Sequence, residues 1–516
     1  MIVGGGTGVR MPTAATPART AARSVDPRLE RIRTAWDPAL LDRATSIAIE
    51  RLGHHLRSTR VAGVALERPS DLLAEAGALM GPGDPEPDLE RLVRIVDLHL
   101  RTAIALPSTG SLARQFTSVL PVAGAVDLLT AMAPQPATFY EAGQLPNVAD
   151  KLIGADLGAL VGWAPGTFTM VSTSGGALAN LTAILAARNL RDPGAWSDGL
   201  QARGPQARRL AIAVGEDAHY SVTRVAGITG LGEATIVLLP VDTQRRIDIR
   251  RARAALDAAA AAGLDVFCIV ASAGSTPTGA IDPLTELAAL AHERGAWFHV
   301  DGAHAGSFIV SHALRPRLAG IELADSFCLD AHKTLFVPAA CTLLFYRDPD
   351  AADAAFSQAA SYVFDDPADE MTAFESGGRN FECTKRPSIL PLWVAWSLHG
   401  RAIFADRLDH LVARTAEVAA LIDAQPDFVL VTAPDANIVC FEHLPGARSD
   451  ADLAALQVAI RDRLRAEGRF LISKVDLGER SVLRLVVMHH EVGTETILAL
   501  MDEIRRVARS IGEEAA

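Results

Sequence analysis

Asp330-Ala331-His332-Lys333 is the sharpest chemical feature of the chain, with three ionisable side chains set between the apolar stretches 326–329 and 335–337. A lysine ammonium in such surroundings is either paired or neutralised, and the neutral amine is a nucleophile that condenses with an aldehyde. A surface lysine on a turn is the plain alternative. Against it, the chain holds only four lysines, Lys151, Lys333, Lys385 and Lys474, among 49 basic residues. Arginine, which the chain prefers elsewhere, cannot form the imine. Upstream, Phe298-His299-Val300-Asp301 reads as a strand ending in an acid, followed by the small residues Gly302, Ala303, Ala305 and Gly306. Ligands of open α/β sheets sit at the carboxyl ends of strands, and an acid there can pair with a protonated ring nitrogen. Ser172-Thr173-Ser174-Gly175-Gly176-Ala177 precedes a helical run over 178–189, so a small-residue turn opens a helix and offers an anion seat. His219, after the apolar stretch 210–214, could stack on a flat ring or simply be a hydrogen-bonded core imidazole.

These residues need a frame. Apolar residues recur at three- and four-residue spacing over 38–56 and 89–106, the pattern of amphipathic helices, and predict a helical N-terminal segment. From residue 210 the texture changes to short apolar runs at 210–214, 235–239, 266–271, 296–300 and 343–346, separated by helical stretches such as 250–262 and 283–294. That alternation predicts a mostly parallel α/β sheet. A long helical stretch over 392–424 leads to apolar runs at 428–431, 438–441 and 483–487 and helices at 451–467 and 495–510, a smaller C-terminal α/β domain. The first 26 residues show no periodicity and are expected to be a flexible extension. Their Val3-Gly4-Gly5-Gly6-Thr7-Gly8 imitates a dinucleotide fingerprint, but no strand precedes it and Pro12 and Pro17 interrupt the helix that should follow.

The whole chain bounds the function. Its 516 residues, 49% hydrophobic and 21% charged, suffice for a large domain with smaller companions and a buried cleft. A formal charge of -12 argues against nucleic acid or an anionic membrane as partner, because both need a basic face. The five cysteines, odd in number and widely spaced, read as reduced core residues, with neither disulfides nor a metal site expected. With no long apolar run and no signal-like segment, a cytoplasmic protein is expected.

Taken in order, Thr173-Ser174-Gly175-Gly176 with Asn180-Leu181, His219-Tyr220-Ser221-Val222, Gly279-Ala280-Ile281-Asp282-Pro283, His299-Val300-Asp301 and His332-Lys333 resemble the group II pyridoxal-phosphate decarboxylases, over residues 114–511. This family includes the glutamate, cysteine-sulfinate, 2,4-diaminobutyrate and aromatic amino-acid decarboxylases. The resemblance implies a fold type I, aspartate aminotransferase-like α/β architecture. Its parts would be an extension (1–26), a helical segment (27–113), a cofactor-binding large domain (114–405) and a small C-terminal domain (406–516). It implies pyridoxal 5'-phosphate held on Lys333, Asp301 against the pyridinium nitrogen, Ala303 and His219 on the two ring faces, and the phosphate at Gly176 and Ala177 with His332 and Asp330 close by. Thr276 joins the cofactor-binding set, Tyr362 matches the tyrosine that protonates the α-carbon, and Gln115, Arg484 and His304 fall on the substrate side. A homodimer with a shared active site follows from the same resemblance. The implied reaction is decarboxylation of an acidic or short diamino L-amino acid. Aldehyde synthesis or carbon–carbon lysis on the same scaffold and a non-catalytic relative are the alternatives, and Tyr362 favours decarboxylation. Four departures bear on substrate choice: His304 where many relatives have an aromatic residue, Asp330 for a common Asn, Met488-His489-His490 for Asn-Pro, and Ser111-Leu112-Ala113-Arg114 without the His-Pro that precedes the glutamine.

Overall fold

A computed structural model of the chain describes residues 26–58, 66–80, 87–204, 207–356, 371–446 and 449–515. Tyr362 and the glycine-rich run at 3–8 lie outside the described residues. The chain forms two compact units, one of residues 1–57 and 67–103 and the other of 58–66 and 104–516.

The described part of the first unit holds four helices, Pro27–Ala35, Pro38–Ser58, Pro69–Leu79 and Leu89–Thr102. Asp26 and Asp88 cap two of them by accepting from Arg28 N and Arg91 N, each at 2.9 Å. Proline begins the other two, where its fixed φ suits the helix and its missing N–H costs nothing. None of the four has a buried residue.

The second unit is built on seven strands: β1 (Thr169–Thr173), β2 (Arg209–Gly215), β3 (Ile236–Leu239), β4 (Leu264–Ser272), β5 (Trp297–Asp301), β6 (Ser326–Asp330) and β7 (Thr342–Tyr346). Their order is β1-β7-β6-β5-β4-β2-β3, parallel from β6 to β3, with β7 antiparallel to both β6 and β1. Most of these strands are buried along nearly their whole length, as expected when helices cover both faces. The alternation along β5 sorts its residues. Phe298 and Val300 enter the larger core with the helices Gln144–Val161 and Leu284–Glu293, whereas His299 and Asp301 face the helix Gly176–Arg191 on the other side. β1 was not legible as a strand because Thr-Met-Val-Ser-Thr is short and more than half polar. It is sustained by pairing with β7 and by the Ser172 hydroxyl, which donates to Asp150 at 2.8 Å.

The C-terminal sheet, β8 (Phe428–Leu430), β9 (Ile438–His443), β10 (Ser473–Leu477) and β11 (Arg480–Val486), runs in the order β10-β11-β9-β8 and is antiparallel throughout. It lies in the same compact unit as the large sheet and shares its core through Phe441, Leu483 and Leu485. The helical stretch expected over 392–424 is broken at Gly400, whose φ of 70° ends the helix Ile389–His399 before Ala402–Asp423 begins. Of the five cysteines Cys383 is exposed, not a core residue, and the other four are buried. No helix among the described residues is long and apolar enough to cross a membrane.

The carboxyl ends of β5 and β6 meet with very little room. A Cβ on Gly302 would lie 2.5 Å from the Cys328 carbonyl oxygen and 3.0 Å from Gly306 Cα, both backbone atoms that cannot swing aside. Gly302→Ala is therefore expected to destabilise the protein by about 1–3 kcal/mol through overpacking, read as a lower thermal midpoint than that of a Gly378→Ala control, whose added methyl meets nothing within 4 Å.

Candidate active site

The ends of β4, β5 and β6 open onto the N-terminus of the Gly176–Arg191 helix, the place where parallel α/β sheets bind ligands. A cavity of about 220 Å³ lies there. Of the residues expected at the site, Gly176, Ala177, His219, Thr276, Asp301, Ala303, His304, Asp330, His332 and Lys333 line it. Gln115 and Arg484 do not, and Tyr362 is outside the described residues.

Lys333 sits on a single helical turn, Ala331–Thr334, directly after β6. Its Nζ lies 2.8 Å from Asp330 Oδ2, and its side chain is 20% exposed. Burial alone would drive its pKa down. The charge and hydrogen bond of Asp330, helped by Asp301, outweigh burial and raise it. Of the two states the sequence allowed, paired or neutral, the lysine is thus paired. Asp330 also accepts from Thr342 Oγ1 at 2.5 Å and lies 3.6 Å from His332 Nε2.

Asp301 is compensated differently. Its Oδ2 accepts from Asn180 Nδ2 at 2.8 Å, its Oδ1 accepts from the Ala303 N–H at 3.2 Å, and the Cys328 thiol lies 3.7 Å from Oδ1. None of these donors carries a charge, so the carboxylate keeps its demand for a cation. His219 is half-buried, and burial lowers its pKa despite the pull of Asp301 in the other direction.

The turn before the helix depends on glycine. Gly175 has φ 137°, a conformation side chains resist, and a Cβ on Gly176 would lie 3.1 Å from Asp330 Oδ1 and 3.2 Å from Ala303 Cβ. The first N–H groups of a helix have no partner within it, so this tight turn presents donors and a positive dipole end to the cavity. An amine for an aldehyde, a buried carboxylate for a ring nitrogen and a helix N-terminus for a phosphate together fit pyridoxal phosphate.

The substrate-side residues stand apart from this group. Arg484 is 6% exposed and spends its donors on protein acceptors: Nε on Pro277 O (2.9 Å), Nη1 on Ala113 O and Ser473 Oγ (3.1 Å each) and Nη2 on Thr276 O (2.9 Å). With no carboxylate beside it, burial pushes its pKa down to about 10. Its direct effect is to hold Thr276, and hence the cavity wall, in place. The Gln115 Nε2 is buried without a hydrogen-bond partner. His304 donates through Nε2 to Asn437 Oδ1 at 2.7 Å, and burial takes its pKa down to about 3.

Sequence reasoning gave Asn180 no role, yet it lines the cavity and holds Asp301. The signal was available in its position one helical turn after Gly176, which places both on the same face. Ser272, Gly274 and Ser275, also in the wall, carried no signal beyond their small size.

Comparison with known proteins identifies the family. The family described as the pyridoxal-dependent decarboxylase conserved domain matches residues 148–444, more than half of the chain. An L-aspartate decarboxylase of Metarhizium robertsii is 28% identical over 437 residues, covering 84% of each chain. An L-2,4-diaminobutyrate decarboxylase of Acinetobacter baumannii is 26% identical over 439 residues, covering 83% of this chain and 85% of its own. The crystal structure of mouse CSAD superposes with a TM-score of 0.84 at 25% identity, over 92% of this chain and 99% of that one. Because the family match spans more than half of the chain and takes in most of the cavity's lining, the chain belongs to the pyridoxal-dependent decarboxylases, fold type I enzymes that decarboxylate amino acids.

Proposed function

We propose that this decarboxylase acts on an acidic or short diamino L-amino acid, glutamate, aspartate, cysteine sulfinate or 2,4-diaminobutyrate, and releases the corresponding amine. The observation that carries the reading is the convergence of Lys333, Asp301 and His219 on one small cavity of about 220 Å³. Bound there, pyridoxal phosphate supplies an aldehyde that captures the substrate amine and a ring that accepts the electron pair left by carbon dioxide. In this reading Lys333 would hold the cofactor through its side-chain amine. Asp301 keeps the ring nitrogen protonated, while His219 and Ala303 fix the ring between them. Gly176 and Ala177 receive the phosphate, with His332, Asp330 and Thr276 at its margin. Tyr362 returns the proton to the α-carbon.

Three observations support the substrate class. The cavity is small, which suits a short side chain once the cofactor is in place. Arg484, with no carboxylate beside it, leaves positive charge behind the Thr276 wall. Relatives named for aspartate, cysteine sulfinic acid and 2,4-diaminobutyrate align over most of the chain. His304 then borders the substrate as a neutral imidazole.

We also propose a homodimer whose subunits share the site. The four N-terminal helices have no buried residue, and Ile32, Trp36, Ile49 and Leu73 are each at least half exposed. Light scattering should give twice the 54.6 kDa of one chain; a monomer at micromolar concentration would reject the shared site.

Mass-spectrometric product analysis of cofactor-loaded protein with acidic, diamino and aromatic amino acids tests the activity. A single amine from an acidic or diamino substrate is expected, and Lys333→Ala should lose both product and the visible absorbance of bound cofactor. An aldehyde with hydrogen peroxide, or turnover of aromatic substrates alone, would overturn the reading. A second measurement addresses Lys333. Only the deprotonated amine attacks an aldehyde, and Asp330 holds it protonated, so cofactor capture should accelerate as pH rises. In Asp330→Asn burial acts with less opposition, and the midpoint of that rise should move to lower pH. An unchanged midpoint would show that Asp330 does not set the lysine's charge.

A further inference from the structure

Asn180 is 1% exposed, and its amide meets four groups. Nδ2 lies 2.8 Å from Asp301 Oδ2 and 3.0 Å from Ser221 Oγ, while Oδ1 lies 3.0 Å from His299 Nε2 and 3.5 Å from Cys328 Sγ. An amide can be turned either way round on shape alone, so the partners must decide. A carboxylate only accepts, which places the nitrogen toward Asp301. The oxygen then faces His299, whose Nε2 must carry a hydrogen. His299 Nδ1 lies 2.8 Å from Ser326 Oγ, and that hydroxyl receives the Trp297 indole N–H at 2.9 Å. An indole only donates, so the serine's own hydrogen is left for His299 Nδ1. With a donor-only group at one end and an acceptor-only group at the other, every bond from Trp297 to Asp301 runs in one direction.

A second branch leaves from the same nitrogen. Ser221 Oγ accepts from Asn180 and so turns its hydrogen to His219 Nδ1, 2.8 Å away, which also receives the Ser221 backbone N–H at 3.3 Å. Both bonds make that nitrogen an acceptor and put the hydrogen of the neutral ring on Nε2. Burial, which pushes His299 down to about 4 and lowers His219, keeps both rings neutral around neutral pH, as these directions require.

We propose that Asn180 is a positioning residue that sets hydrogen placement on two cofactor-facing groups at once, holding Asp301 as an acceptor and His219 as its Nε2–H tautomer. His299, Ser326 and Trp297 form the arm that stops the amide from turning over. Were it to turn, its oxygen would face the Asp301 carboxylate and leave buried polar atoms unpaired, a cost of about 1–3 kcal/mol for each. The value of the fork for the reaction rests on the cofactor placement proposed above. The tautomers themselves belong to the chain and are measurable without any substrate.

The test is nitrogen-15 NMR of histidine-labelled, cofactor-loaded protein, with the two rings assigned by the loss of their signals in His219→Gln and His299→Gln. Both rings are expected to be neutral and protonated on Nε2. Ser326→Ala should move the His299 nitrogens and leave His219 alone, whereas Ser221→Ala should do the reverse. Asn180→Ala should move both and weaken cofactor retention roughly tenfold, the loss of one hydrogen bond to a charged group. A merely structural role would not separate the two branches. A hydrogen on Nδ1 of either ring, equal responses of both rings to Ser326→Ala, or unchanged cofactor retention in a folded Asn180→Ala protein would each overturn the proposal.

Discussion

Two carboxylates buried at the ends of adjacent strands are the constraint around which the site is arranged. Asp301 closes β5 and is 8% exposed; Asp330 closes β6 and is 2% exposed. A charge removed from water must be paired or hydrogen-bonded, and two like charges on neighbouring strands raise that demand. The chain meets it in two ways. Asp330 receives the ammonium of Lys333 and the hydroxyl of Thr342, whereas Asp301 receives only neutral donors from Asn180, Ala303 and Cys328. Two similar acids are thereby compensated differently, one by the chain's own lysine and the other by neutral donors alone.

Much of the architecture can be read as what this division requires. Parallel pairing of β5 and β6 puts both acids at one edge, and the register of Asp301 with Cys328 sets them a pleat apart. The Gly176–Arg191 helix must cross over that edge to deliver Asn180, and its first residue must lack a side chain because Asp330 lies where a Cβ on Gly176 would point. Gly302 must be bare because the chain leaving β5 passes against the carbonyl of Cys328. The same constraint explains why Lys333 remains charged in spite of its burial: the acid that needs a cation is three residues away on a helical turn.

The chemistry was legible in the sequence to the extent that it depends on residue type and local spacing. Lys333, Asp301 and His219 stand next to apolar runs that the eye can recognise as strands, the Gly175-Gly176 turn opens a recognisable helix, and the parallel sheet follows from the alternation of apolar runs with helices. What depends on lateral register was not legible. His299 is two residues before Asp301 and shares its face, but its partner Ser326 lies on another strand and Asn180 on a helix more than a hundred positions upstream. β1 escaped because edge pairing, not hydrophobicity, sustains it. Arg484 was placed on the substrate side by the resemblance alone, and the structure uses most of its guanidinium on the carbonyls of Ala113, Thr276 and Pro277.

Two of the departures from the family pattern, which look unrelated along the chain, form one physical unit. An imidazole at position 304 needs an acceptor for its ring hydrogen, and Asn437 Oδ1 supplies it at 2.7 Å. That asparagine can face the ring only if its nitrogen is satisfied elsewhere, and Val487 O at 2.9 Å and Met488 Sδ at 3.0 Å satisfy it. A backbone carbonyl only accepts, so the amide is oriented from the C-terminal side and the ring in turn from the amide. His304 is therefore oriented through Asn437 from the C-terminal side, where Met488 packs, and loss of the imidazole would leave Asn437 Oδ1 without this partner. This coupling places control of one wall of the cavity in the segment that follows β11, whereas Asp301 and Asp330 are fixed from β5 and β6. That wall can then change by repacking one end of the C-terminal sheet without disturbing Asp301 and Asp330.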